Sequence, residues 1–274
     1  MMEPISKWAQ TVWSGETFPG IVRKAFKIAE TEKPGVTVIE LPKDVAKEDV
    51  AKPVMAPNIT RRHAADHKAA RSAIDAIEQA DSPTTLAGNG ALRKRAAKRL
   101  RRFAHKTGFP VVNTFMGRGA VAMSDDHCLF TMGLQGKDHI NRAFAKADTV
   151  ITVGYDLVEI SPAFWNPDCD KTIVNIDFWP AEIDSDYPVM VDVVADLADT
   201  LWQINEGLNE RFPGKLPLFD IADWAGLRQT IADDLALEKD DDAFPMKPQR
   251  ILNDVRDFLG PEDVVLSDAG AYKM

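Results

Sequence analysis

Apolar residues recur along this chain in two rhythms. Between residues 66 and 208, short apolar runs stand at 84–88 (TTLAG), 110–114, 149–154 (TVITVG), 172–177 (TIVNID) and 189–196 (VMVDVVAD). Between them, near 66–80, 91–106, 138–147 and 196–207, the apolar positions return every three or four residues, as in Ala70, Ile74, Ile77 and Leu92, Ala96, Leu100, Phe103. The first rhythm is that of strands buried on both faces, the second that of amphipathic helices. Strands alternating with helices of this length predict right-handed crossovers and a sheet covered on both sides. The expected fold class is therefore α/β: a doubly wound, mainly parallel six-stranded central sheet over 66–208, flanked by partial α/β domains.

The flanks follow a different pattern. Residues 18–32 carry a helical stripe (Ile21, Val22, Ala25, Phe26, Ile28, Ala29) with Pro19 in the first turn, and Lys33-Pro34-Gly35 turns the chain into the β-branched run VTVIELP. That is an αβ unit with no strand legible before it, so residues 1–50 look like the end of a domain. Residues 44–64 hold Pro53, Pro57 and mixed charge, as a linker does. Residues 209–246 look like a second linker with a helix near 220–238. From Pro248 a helix with Ile251, Leu252, Val255 and Phe258 leads to a predicted buried strand at Val264–Leu266 and a loop at its carboxyl end, so 247–274 look like the start of a third domain.

Composition narrows the function classes. A formal net charge of −9 argues against general nucleic-acid binding, without excluding a small anion held by backbone amides. Eight Lys and Arg crowd residues 91–106, but the apolar stripe there leaves them on a solvated helix face. Cys128 and Cys169 form no C-x-x-C pair, which indicates neither a disulfide framework nor a zinc knuckle and suits a reducing cytosol. No basic segment followed by an apolar one opens the chain, and no apolar run approaches membrane-spanning length.

Site chemistry has few candidates. His63 and His67 stand i, i+4, yet Ala64-Ala65-Asp66 between them supplies no general base, and no metal ligands are assigned. No G-x-S-x-G elbow and no distinctive carboxylate pair occurs. What remains are loops at strand carboxyl ends: Gly88-Asn89-Gly90, Thr114-Phe115-Met116-Gly117-Arg118-Gly119, Gly133-Leu134-Gln135-Gly136, Gly154-Tyr155-Asp156 and Asp177-Phe178. Glycine there lets a backbone approach a ligand closely, helix N-termini offer amides to phosphate, and a carboxylate such as Asp177 can hold a ribose hydroxyl. Together these loops permit a dinucleotide site or a vestigial one, and the residues alone do not choose.

Three segments resemble a known family. K-P-G-V-T-V-I-E-L-P-K-D-V (33–45) is similar to the end of the pyrimidine-binding domain of thiamine-diphosphate enzymes, 66–208 to their central domain, and P-Q-R-I-L-N-D-V…D-V-V-L-S-D-A-G-A-Y-K-M to the start of their diphosphate-binding domain. G-Y-D-L-V-E-I-S-P-A-F-W-N-P (154–167) and I-V-N-I-D-F-W-P-A-E-I-D (173–184) resemble in particular the acetolactate synthase large (catalytic) subunit. The resemblance implies an interior part of a longer cytoplasmic enzyme that condenses 2-keto acids with loss of carbon dioxide. It implies thiamine diphosphate and Mg²⁺ as cofactors, assembly as a homodimer or tetramer, and room for a regulatory subunit.

By the same resemblance Ala269, Gly270, Ala271 and Tyr272 lie beside the cofactor's diphosphate, although members often carry Gln-His or Ala-His where this chain has Ala271-Tyr272. Lys7 matches a position near the substrate channel. The resemblance places no catalytic residue in this chain: the activating Glu belongs to a preceding segment, and no metal-holding G-D-G occurs here. Anabolic members hold a non-redox FAD with arginines on the central domain. At the matching stretch Asp156 and Ile160 replace them, which points to the FAD-independent branch, although T-F-M-G-R-G resembles the anabolic loop. Another thiamine-diphosphate enzyme (a 2-keto acid decarboxylase or an acetyltransferase-like protein) and a non-catalytic nucleotide-binding module remain the alternatives.

Overall fold

The computed structural model describes residues 2–57, 63–133, 140–260 and 262–266. The chain divides into two compact units, residues 1–63 and 64–274.

In the first unit, strand β1 (Trp8–Thr11), helix α1 (Phe18–Glu30) and strand β2 (Thr37–Glu40) form a βαβ unit, with β1 and β2 parallel. The sequence reading, which placed no strand before α1, is corrected here. The missed strand has four residues, all only half-buried, so no alternation marks it. A small core of Val12, Ile21 and Val45, with Trp8, Phe18 and Ile39 against it, closes the unit.

The second unit contains, in chain order, α2 (His67–Gln79), β3 (Pro83–Ala87), α3 (Lys94–Thr107), β4 (Val111–Asn113), β5 (Cys128–Thr131), α4 (Asn141–Lys146), β6 (Thr149–Val153), β7 (Thr172–Asp177), β8 (Val189–Val194), α5 (Leu197–Arg211), α6 (Ala222–Leu235) and α7 (Pro248–Phe258). The strands form one six-stranded sheet in the order β5-β4-β3-β6-β7-β8, and every pair is parallel. Side chains alternate across it. Ile151, Val153, Val174 and Ile176 join α2, α3 and α5 in one core, while Leu86, Val112, Val150 and Ile173 join α4, α6 and residues 155–165 in the other.

Local chemistry explains the elements. Asp66 caps α2 by accepting from the Ala69 amide, and Asp196 caps α5 by accepting from Asp199. Helix α3 stops at Gly108, whose φ of 78° is left-handed. Leu92 falls in the turn before α3 rather than on its stripe and is exposed, whereas Ala96, Leu100 and Phe103 are buried as expected.

Three features depart from the sequence reading. The sixth strand, β5, was not located there: it is short, follows an irregular stretch, and pairs with β4 across a register shift. Within 209–246, helix α6 packs Trp224 and Ile231 into the core and so belongs to the layered unit. Residues 263–266 form no strand, and Val264 and Leu266 are exposed; a strand needs a neighbour for its amides and carbonyls, and no described residue supplies one.

Candidate functional site

The strand order reverses at β3: the chain passes through β4 and β5 on one side and returns to β6 on the other. In open α/β sheets the crevice at such a switch, beyond the strand carboxyl ends, is where ligands bind. The loops after β3 (Gly88–Leu92) and β6 (Gly154–Ile160) lie side by side there, since Gly88 donates to Val153 O and Gly90 to Gly154 O, at 3.0 and 2.9 Å.

These loops touch each other. A Cβ on Gly90 would lie 2.8 Å from Gly154 Cα, and one on Gly154 would meet Gly90 Cα at 2.6 Å and Ala91 N at 2.7 Å. Gly154 also has φ 57°, which L side chains adopt at a cost. A Cβ on Gly88 would run into Gly154 O and Tyr155. The small residues at 88, 90 and 154 are thus required by one loop packing against the next, before any ligand is considered.

The anion-accepting groups of the crevice are held by a carboxylate of the chain itself. Glu159 accepts from the Asn89 amide at 2.9 and 3.2 Å through its two oxygens, and from the Asp156 amide at 3.2 Å. It also accepts a short hydrogen bond from the Thr114 hydroxyl at the end of β4. The Thr114 oxygen in turn accepts from Gly117 N at 2.8 Å, which draws in the third loop. A pyrophosphate approaching these amides would meet Glu159 already on them, so the residues present do not fit that group here.

The other residues singled out in the sequence spread around the same edge. Phe115 is half-buried and Met116 exposed on the turn after β4, and Gly133 follows β5. Asp177 ends β7; its carboxylate accepts from the Phe178 amide at 2.5 Å, and Arg93 lies 3.7 Å over the Phe178 ring. The structure brings Gly88, Gly90 and Gly154 together by direct loop contact and ties Thr114 to them through Glu159, a role the sequence did not reveal because it depends on β3 and β6 being neighbours. Lys7 is in the first unit, where its ammonium donates to Thr31 O and Lys33 O at 2.5 and 2.8 Å beyond the end of α1. Ala269, Gly270, Ala271 and Tyr272 lie outside the described residues, as do Leu134, Gln135 and Gly136.

Behind the Glu159 loop lies a buried polar and aromatic cluster. Tyr155 donates a short bond to Ile160 O and receives Trp165 Nε1 at 3.4 Å. Tyr187 bonds Thr152 at 2.7 Å and Asn175 at 3.0 Å, and Asn175 passes on to Asp192 at 2.8 Å. Burial pushes both tyrosine hydroxyls far above their ordinary pKa, so they stay neutral donors. This cluster fixes the loop that carries Glu159.

The six-stranded parallel sheet with its crossing at β3 is the frame of an α/β domain, and residues 70–204 match the family described as thiamine pyrophosphate enzyme, central domain. Nearly the whole chain is similar to acetolactate synthases. It is 26% identical over 278 residues to the acetolactate synthase large subunit of Haemophilus influenzae, an alignment covering 99% of this chain and 48% of that protein. It is 28% identical over 292 residues to the acetolactate synthase of Mycobacterium leprae, with 99% and 44% covered. With the acetolactate synthase of Bacillus subtilis it shares 30% over 203 residues, 73% of this chain and 36% of the other. The chain spans less than half the length of each of these relatives. Among the described residues no helix is long and apolar enough to cross a membrane.

Proposed function

We propose that this chain works within a thiamine-diphosphate-dependent acetolactate synthase of the cytoplasm. The enzyme joins two pyruvates, or pyruvate and 2-ketobutyrate, with loss of carbon dioxide, in branched-chain amino acid or acetoin metabolism. The observation that carries this reading is the likeness to an acetolactate synthase large subunit over 99% of the chain, well beyond the 70–204 family match. Thiamine diphosphate, held with Mg²⁺, supplies the carbanion chemistry, and the protein supplies placement and electrostatics. In this reading Ala269, Gly270, Ala271 and Tyr272 face the cofactor's diphosphate, Lys7 faces the substrate channel, and the enzyme assembles as a homodimer or tetramer open to a regulatory subunit.

The reading includes no bound FAD. Glu159 on the crevice amides supports this, and it equally disfavours a nucleotide-binding module. The chain on its own is inactive in this reading, because it has no G-D-G motif and the activating Glu belongs to a preceding segment.

Acetolactate formation from pyruvate tests the proposal, read colorimetrically with thiamine diphosphate and Mg²⁺, with and without flavin. The 274-residue chain is expected to give none; a chimera completing it with a relative's flanking segments is expected to turn over without flavin. Turnover by the chain alone refutes its inactivity, and strict flavin dependence of the chimera refutes the FAD-free reading. A chimera that folds and binds thiamine diphosphate yet makes no acetolactate refutes the reaction.

A further inference from the structure

Away from the switch crevice, three donor groups from two separate segments of the chain converge on one point. His105 lies in the last turn of α3, and Asp125 and His127 lie in the turn that leads into β5. Asp125 Oδ2 is 3.0 Å from His105 Nε2, and Asp125 Oδ1 is 3.1 Å from His127 Nδ1. One ligating atom from each residue lies within 4.8 Å of the other two. The imidazole centroids are 4.2 Å apart at 57°, so the rings lean together rather than stack flat.

The scaffold under these groups is fixed by the backbone. Asp125 Oδ1 also accepts from the His127 amide at 3.0 Å, Cys128 N donates to Asp125 O at 2.9 Å, and Val111 of β4 donates to His127 O at 2.7 Å. The Asp125 and His127 side chains are only 15% and 10% exposed, while His105 is 58% exposed and leaves the outer side open to water.

We propose that His105, Asp125 and His127 form a site for one divalent transition-metal ion of the zinc class, with solvent completing its coordination. Two imidazole nitrogens and a carboxylate oxygen are the donors such ions prefer, whereas Ca²⁺ and Mg²⁺ seek six or more oxygens. Bonds of about 2.05 Å in a tetrahedron set neighbouring donors about 3.4 Å apart. The two imidazole–carboxylate separations, 3.0 Å to Oδ2 and 3.1 Å to Oδ1, need to open by a few tenths of an ångström, and the two ring nitrogens, now within 4.8 Å of each other, have to come to that same spacing. The ion takes the place of the two imidazole protons that otherwise bridge to the carboxylate. Cys128 follows directly but is no fourth ligand, since its thiol contacts Val121 O and Asn113 instead. The bound ion would tie the end of α3 to the start of β5, an edge strand of the sheet.

The test is titration of the tag-free 274-residue chain with Co²⁺, read by visible absorption, followed by displacement with Zn²⁺ and thermal melts with and without Zn²⁺. One equivalent is expected to bind with a tetrahedral-type spectrum, and Zn²⁺ to raise Tm. His105→Gln and Asp125→Asn should each weaken uptake by more than about tenfold, since even outer-ligand losses reach that range, and should abolish the Zn²⁺-induced rise. His105 is exposed, so its replacement should leave the far-UV circular dichroism unchanged. His67→Gln is the control and should change nothing. No saturable uptake at millimolar metal, uptake indifferent to His105→Gln, or uptake lost with His67→Gln would each overturn the site.

Discussion

Replacing Glu159 by Ala removes the carboxylate that joins three loops at the switch crevice. Three donors lose their acceptor: the Asn89 and Asp156 amides and the Thr114 hydroxyl. Hydrogen bonds to a charged group contribute about 1.5–3 kcal/mol each when buried. Asn89 is exposed and Asp156 half-buried, so water replaces much of what those two amides lose, while Thr114 is fully buried. The net loss is therefore nearer one full bond than three, about 2–3 kcal/mol. For a unit of this size each kcal/mol moves Tm by about 2–4 °C, so a fall of about 4–12 °C is expected by circular dichroism. Glu159→Gln keeps the shape and loses the charge, and should fall about half as far, neutral bonds being about half as strong. Inorganic pyrophosphate should restore part of the loss in Glu159→Ala by binding the freed amides, and should leave the unaltered chain unmoved. A Tm change under about 1 °C, or equal stabilisation of both proteins by pyrophosphate, would refute the reasoning.

Three further outcomes are expected. Gly154→Ala should cost about 3 kcal/mol or more in urea unfolding, from the left-handed φ of 57° and a Cβ 2.6 Å from Gly90 Cα; Gly119→Ala, at φ 97° with open space around it, should cost only about 1–2. Near-equal losses at the two sites would discount the loop packing. Burial raises the pKa of the Cys128 thiol, and at exposed Cys169 residual desolvation and the carboxylates of Asp186, Asp168 and Asp170 do the same. A raised pKa means less thiolate at a given pH, so an aromatic disulfide reagent should modify Cys169 slowly at pH 7 and faster as pH rises, and Cys128 only on unfolding; two equally fast thiols would contradict this. Limited proteolysis should cut around α7 before the sheet, because α7 buries no residue; cleavage starting within β3 to β7 would count against it.

The sequence made the layered sheet legible because its long elements carry strong periods. Ala70, Ile74 and Ile77, and Ala96, Leu100 and Phe103, are buried on helices as their spacing requires. Short elements stayed hidden: β1 and β5 have four residues each, too few for a rhythm to rise above turn and loop. Helix α6 was visible as a helix, but nothing local shows that Trp224 and Ile231 reach the core. At the crevice the glycine loops were legible and their partners were not. Gly88 and Gly154 look alike in sequence whether a ligand or another loop fills the space before them, and strand order decides. The same holds for His105 and Asp125, which meet only because α3 ends beside the turn into β5. The 154–167 stretch that carried the family resemblance proves to be partly a structural one, with Tyr155, Ile160 and Trp165 anchoring the loop.

The strand order also dictates a schedule for synthesis. Pro83 pairs with Thr149, so the central pairing of the sheet joins segments separated by two other strands and their helices. As the chain leaves the ribosome, β3, β4 and β5 are present while one side of β3, a strand buried along its whole length in the finished sheet, still awaits β6. Closing that gap brings distant segments together before their contacts can repay the lost chain freedom, which makes the step slow. Until β6 arrives, the open side of β3 is an unpaired strand edge of the kind that pairs with other chains.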